Sequence, residues 1–344
     1  MRKLSISFSA VRSRTRSATQ CPYRSLPGLL CLLALLSACA PRSTPTLTPI
    51  TVQLNWLYYG LFGGLYAADQ NGNFAQEGLA VTFLEGGPKV DYITPVLDGT
   101  AQFGLVGADE LILARAQGKP VRAIATILRR SPLAFAVMAD SGMTRPEDFI
   151  GHTIRITPQA AAGFHAMMAR VGISPSQYTE IVLPSTLDAF ASGQADVWCI
   201  YINSFAITVE NAGYKLRFIY PDDYGVHFYA ESLFTSDNMI TTDPDLVQRF
   251  LRAALSGYTY AIENSAKVGP MVVKYNPQLD PAIATAQMVA SLPLINTGED
   301  HIGWMKPEIW AGMEQTLREQ GVLTAPLDVA QVYTLQFLEE IYGK

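Results

Sequence analysis

The sequence predicts a two-lobed α/β fold, each lobe a mostly parallel sheet flanked by helices. Strand-like runs alternate with helix-like ones from Thr51 to Met138, and turn residues at Asp140-Ser141-Gly142 and Arg145-Pro146-Glu147-Asp148 interrupt the pattern. The alternation restarts at Thr153, and from Pro244 to Ile341 the chain reads almost wholly as helix. Alternation of strand and helix builds parallel, doubly wound sheets, whose crevices open outside the carboxyl ends of the strands. The expected boundaries are 50–138 for the first part of lobe one, 139–232 for lobe two, and 233–344 for the return to lobe one with its C-terminal helices.

Each element rests on a local signal. The β-type run 51–54 leads into Asn55-Trp56, and apolar residues at helical spacing over 61–71 stop at Gly72. A strand over 79–84 is closed by Gly86-Gly87-Pro88, and a helix over 92–98 ends at Gly99. A strand over 103–106 precedes a helix over 109–117, and strands follow over 121–128 and 133–138. In the second unit strands are expected at 153–156, 180–183, 197–202 and 216–220, with helices at 160–171, 186–192 and 205–212. The tail predicts helices over 244–264, 281–292, 307–320 and 327–341. Crossings between the lobes are expected near 138–142 and 229–234.

Ahead of these elements lies a different kind of segment. Arg2, Lys3, Arg12, Arg14, Arg16 and Arg24 precede an apolar run from Leu26 to Leu36, followed by Ser37-Ala38-Cys39. A basic leader, a short apolar stretch and small residues before a cut site predict an export signal over 1–38. The run is too short to span a bilayer as a permanent helix. Leu36-Ser37-Ala38-Cys39 resembles the lipobox of bacterial lipoproteins, which implies that Cys39 is lipidated and anchors the protein to the extracytoplasmic face of a membrane. The Pro/Thr/Ser-rich stretch that follows, within 39–49, reads as an extended tether.

Six of the 25 basic residues and none of the 30 acidic ones lie in that leader, so its loss takes the formal charge from −5 to −11. Such a charge argues against nucleic acid and against an electrostatic membrane role, both of which want a basic face. With Cys21 and Cys31 gone and Cys39 acylated, Cys199 stands alone and no internal disulfide is possible. His152, His165, His227 and His301 have no partner at metal-ligand spacing, so neither metal nor cofactor is expected.

Asn55-Trp56, Gly64-Leu65-Tyr66-Ala67-Ala68, Gly72-Asn73-Phe74 and Glu77-Gly78-Leu79-Ala80-Val81 follow one another in a recognisable order. Phe103-Gly104, Gly107-Ala108-Asp109, Gly193-Gln194-Ala195-Asp196-Val197-Trp198 and Asp223-Tyr224-Gly225-Val226-His227-Phe228-Tyr229 continue it. The chain resembles the thiamine-pyrimidine-precursor and sulfonate-binding family of periplasmic solute-binding proteins. The resemblance implies the type II periplasmic-binding-protein fold and a monomer. It implies a small molecule held between two lobes and delivered to an ABC permease and its ATPase, a mechanism of ligand-driven closure.

Candidate contacts follow. Trp56, Tyr58, Tyr59, Phe62 and Tyr66 put five rings in eleven residues, beside Gly60, Gly63 and Gly64, which permit close approach. The family's loop here lines the cleft and its Trp stacks on a flat ring, which suits a nitrogen heterocycle. Asp109 and Glu110 open a helix, where carboxylates either cap it or accept hydrogen bonds from ligand N–H and O–H groups and repel an anion. In lobe two the candidates are Phe164, Trp198, Tyr201 and Asn203, the last three expected on one strand face, and Tyr224 and His227 near the second crossing. The resemblance places an aromatic residue near Tyr201 against the ligand ring. Many members read Asn-Glu-Pro where this chain has Asn203-Ser204-Phe205. A fungal branch of the family is an enzyme, but Phe62 stands where its reactant histidine would be and no lysine lies between Asn55 and Tyr66. A binder rather than an enzyme is expected, with riboflavin favoured over a thiamine pyrimidine precursor because Phe62 and Phe205 leave an apolar slot. A ligand-sensing module for a membrane signalling partner would use the same cleft.

Overall fold

Two five-stranded sheets carry the molecule, in strand orders that interleave the two halves of the chain. The computed structural model describes residues 46–344 except Pro88 and Glu299. The export signal, Cys39 and the first part of the tether lie outside the described residues. Residues 46–344 form one compact unit.

In the first sheet β1 (Thr48–Gln53) pairs in parallel with β2 (Leu79–Leu84) and β3 (Phe103–Gly107). Beyond β3 comes β10 (Glu231–Ser236), antiparallel to both β3 and β4 (Val121–Thr126). The second sheet has β6 (Thr153–Arg155) parallel to β7 (Thr179–Ile181) and β8 (Val197–Tyr201). There β5 (Leu133–Met138) runs antiparallel between β8 and β9 (Leu216–Ile219). The reversed strand of each sheet is the first one the chain enters after crossing from the other. The apolar runs of β3, β4 and β5 are buried along almost their whole length, as strands covered on both faces must be.

Helices cover the sheets. Gly63–Gln70 (α1), Asn73–Gln76 (α2), Thr94–Leu97 (α3) and Ala108–Ala116 (α4) belong to the first pass. Pro158–Arg170 (α5), Leu187–Ala191 (α6) and Phe205–Asn211 (α7) flank the second sheet. Asp237–Thr242 (α8), Pro244–Glu263 (α9), Val268–Val273 (α10), Pro281–Ile295 (α11), Pro307–Glu319 (α12) and Gln336–Tyr342 (α13) close the chain. Gly60, Gly64 and Gly257 mark where backbones touch. A Cβ at Gly60 would meet Ala284 O at 2.1 Å, at Gly64 the Tyr258 ring at 2.2 Å, and at Gly257 Gly64 O at 2.1 Å. The glycines of the opening loop therefore serve helix packing and not approach to a ligand.

Three expectations need correction. The strand 133–138, placed in lobe one, belongs to the second sheet, so the first connection between sheets runs over 127–132 and not near 138–142. The second runs over 220–230. The two segments bond to each other: Ile127 N donates to Glu231 O at 2.8 Å and Ala230 N to Leu128 O at 3.0 Å. The tail 327–341 is not one helix. Its middle is extended, with Ala123 N donating to Val332 O (2.8 Å) and Thr334 N to Ala123 O (3.0 Å) along the outer edge of β4. Pairing with an open sheet edge satisfies backbone groups that a helix would otherwise keep to itself.

Candidate functional site

The candidate site is a cavity of about 120 Å³ between the lobes, where the carboxyl ends of the parallel strands converge. Asn55 follows β1, Gly107 ends β3, and Asp109 and Glu110 open α4. Ser131 and Leu133 come from the first connecting segment and the start of β5, Tyr201 ends β8, and Phe228 to Ala230 precede β10. Because β10 runs backwards, its first residue lies beside the last residues of its neighbours. Glu231 is thus paired directly with Gly107, two positions before Asp109.

Three carboxyl groups meet here, and among the described residues no lysine or arginine lines the cavity. Burial pushes Asp109 up to about 7, aided by repulsion from Glu110. Burial likewise pushes Glu231 up to about 7, with Asp109 and Glu110 adding to it. Glu110 is also raised by burial, offset by a 2.6 Å hydrogen bond that it accepts from the Tyr92 hydroxyl. Asn55 Oδ1 and Glu231 Oε2 are buried with no hydrogen-bond partner. Leaving such an acceptor unmatched costs about 1–3 kcal/mol. The buried atoms left unmatched at the cleft, Asn55 Oδ1 and Glu231 Oε2, are acceptors, so the arrangement favours a guest that brings N–H or O–H donors and disfavours an anion. A Cβ at Gly107 would lie 2.6 Å from Asp109 Oδ1, so a larger residue there would displace that carboxyl.

The sequence-based candidates separate into groups. Asn55, Asp109 and Tyr201 line the cavity, and Tyr201 is 41% exposed into it. Tyr59 is buried with its ring edge-on to Phe62 at 4.7 Å, and its hydroxyl is raised by burial and then by Glu231, which places it beside the cleft. Trp56, 41% exposed, stands next to Asn55 and does not line the cavity. The rest point elsewhere. Tyr58 donates its hydroxyl to Phe83 O at 2.9 Å, and Phe62 and Tyr66 are sealed in the first core. Phe164 is packed in the second sheet's core between Phe135 and Tyr178. Trp198 packs with Ile200 and Phe190. An odd separation along a strand sends Trp198 to the face opposite Tyr201 and rules out the single face expected for them. Asn203 is buried and donates to Ser291 Oγ at 3.0 Å, tying lobe two to α11. Tyr224 packs against the second core, and His227 lies in another cavity, 2.9 Å from Asp222. Cys199 is buried, and burial pushes its thiol up.

Glu231 was not anticipated. It opens a strand whose polar letters, Glu231, Ser232, Thr235 and Ser236, conceal a central buried position. An acidic residue at the second crossing was the available signal.

Comparison with known proteins places this architecture. The family model described as NMT1/THI5 like matches residues 61–267. The chain belongs to the NMT1/THI5-like family. Among relatives of this NMT1/THI5-like chain is the riboflavin-binding protein RibY of Chloroflexus aurantiacus, 26% identical over 316 residues, covering 88% of this chain and 89% of that one. The formylaminopyrimidine-binding protein of Halalkalibacterium halodurans is 29% identical over 246 residues, 69% of this chain and 74% of that one. A 4-amino-5-hydroxymethyl-2-methylpyrimidine phosphate synthase of Legionella pneumophila is 23% identical over 301 residues, 85% and 92% of the two chains. Among solved structures, the periplasmic aliphatic sulphonate binding protein SsuA of Escherichia coli superimposes with a TM-score of 0.69 over 86% of this chain and 99% of that one, at 13% identity. That likeness is one of fold, the two-lobed periplasmic-binding-protein fold. Among the described residues no helix is long and apolar enough to cross a membrane.

Proposed function

We propose that this protein is an extracytoplasmic binding protein that captures a flat, neutral nitrogen heterocycle between its lobes and presents it to an ABC-type permease. Riboflavin is the favoured ligand. One observation carries the reading: the cleft offers three carboxyl groups and an unmatched Asn55 oxygen, with no lysine or arginine among the described residues that line it. Ring N–H and polyol O–H groups match that demand, whereas a sulfonate would be repelled wherever those carboxyl groups are ionised. The relative named for riboflavin, aligned along most of both chains, supports the same ligand class.

Asn55, Asp109, Tyr201 and Glu231 would bind the polar edge of the ring, with Tyr59 behind them and Trp56 folding over the mouth. A cavity of about 120 Å³ is smaller than the roughly 300–1,000 Å³ usual for ligand sites, so three fused rings enter only after the lobes part. Rotation would occur at the paired segments 127–132 and 220–230, and the ligand would draw the lobes closed by touching both. The size of the cavity favours, as a second reading, a single-ring thiamine pyrimidine precursor.

No reaction is assigned to the cleft. The buried Phe62 offers nothing reactive, and anchoring through Cys39 would hold the protein beside its permease. The test is a thermal-shift comparison of riboflavin, formylaminopyrimidine and taurine. A stabilised native state raises the melting temperature through linkage. We expect a rise with one of the two heterocycles and none with taurine. A rise with taurine alone would overturn the assignment.

A further inference from the structure

A second cavity, about 480 Å³, lies behind the two connecting segments and is lined by Arg129, Arg130, Asp222, His227, Tyr229 and the ends of α11 and α12. Tyr229 is a wall common to this cavity and the cleft. The two spaces differ in what they leave unmatched. In the second cavity the acceptors are spent. Asp222 takes Arg130 Nε at 2.9 Å on one oxygen and faces His227 Nδ1 at 2.9 Å with the other. Asp300, beside the cavity, takes Arg129 Nη2 at 2.9 Å, Thr297 Oγ1 takes Arg129 Nη1 at 2.7 Å, and Asn296 Oδ1 takes Gly298 N at 3.2 Å.

The donors are left over. Among the described residues, Arg130 Nη1 and Asn296 Nδ2 donate to no protein atom. The Tyr229 hydroxyl accepts from Lys306 N at 2.8 Å and keeps its own proton to give. Arg129, its side chain only 3% exposed, has an Nε buried without a partner beside the cavity. The Lys306 ammonium lines the same space but is already paired with Asp300 Oδ2 at 3.4 Å, and Lys306 is the N-cap of α12, with no side chain capping that terminus. Asp223, 3.7 Å from Arg130, and Glu308 in the first turn of α12 add negative charge, so the unmatched donors and not net charge are what an anion would meet.

We propose that this cavity is a second binding site, for a small oxyanion such as a phosphate or a carboxylate, distinct from the heterocycle cleft. Arg130, Asn296 and Tyr229 donate to the anion, with the unmatched Arg129 Nε and the α12 terminus behind them. Both connecting segments contribute to the wall, so an occupant would touch the parts of the chain that turn when the lobes move.

The test is the melting temperature of the full chain titrated with inorganic phosphate and with malonate, against sodium chloride at matched ionic strength. A specific site gives a saturable rise beyond the chloride control. Arg130→Gln and Asn296→Ala, both at accessible positions, should each raise the half-saturating concentration by about fivefold or more, while Asn55→Ala in the cleft leaves it unchanged. The stronger of the two anions tells phosphoryl from carboxylate recognition. No rise beyond chloride, an undiminished rise in Arg130→Gln, or loss of the rise in Asn55→Ala overturns the proposal. Heterocycle binding is read separately, so its failure leaves this result untouched.

Discussion

Asp109 sits where a carboxylate costs stability and would serve binding. Its group titrates near 7 in the folded protein, against the ordinary carboxylate range when unfolded, because burial and Glu110 oppose its charge. A folded pKa raised in this way means that the native state holds a proton which the unfolded chain has already lost. Stability contributed by that proton is present at low pH and is lost as pH rises from about 4 through 7. Asp109→Asn should therefore raise the melting temperature of the ligand-free protein by about 2–4 °C at pH 8. It should change little at pH 5, and calorimetry at the two pH values measures the difference. The same variant should weaken heterocycle binding, as expected where function is held at a destabilised position. Gly107→Ala should leave stability nearly unchanged and weaken binding by about tenfold, or ~1.4 kcal/mol, by displacing Asp109 Oδ1, from which its Cβ would lie 2.6 Å.

Neighbouring elements show how similar letters take different roles. Trp198 and Tyr201 belong to the same strand, but one is 2% exposed within a core and the other 41% exposed at the strand's end. Trp198→Ala should cost about 3–5 kcal/mol in urea unfolding, whereas Tyr201→Ala should cost little stability and reduce ligand affinity. At the other edge, Thr334→Pro removes the N–H that bonds Ala123 O. It should cost about 1–3 kcal/mol by the same measurement, with native circular dichroism retained below the transition.

The segments 79–84 and 133–138 are strands as read, because each is an apolar β-rich run with turn residues at its border. By contrast β10 escaped a reading based on apolar alternation. Its Ser232 is buried because its hydroxyl pairs with Thr126 Oγ1 at 3.0 Å across the sheet, a contact between residues far apart in the chain. The tail misled for a related reason. Val332, Phe337 and Leu338 are all buried apolar residues, but the first docks on a sheet edge and only the last two lie on a helix.

At the scale of the molecule, lobe pairing decides which candidates meet. Asn55, Asp109 and Tyr201 were legible from their places at strand ends, while Glu231 reaches them only because the chain re-enters the first sheet backwards. Phe164, Phe62 and Trp198 carry the same aromatic signal as Tyr201, and burial alone separates them. The assembled cleft is acidic, and the cavity behind the connecting segments is rich in unmatched donors. Such a division should make the protein discriminate by charge. The decisive measurement is the affinity of riboflavin and of its phosphate ester, titrated side by side at pH 8 by flavin fluorescence. An acidic cleft predicts that riboflavin binds tighter by about hundredfold or more, a difference of ~2.7 kcal/mol. Equal or tighter binding of the phosphate ester would contradict the account.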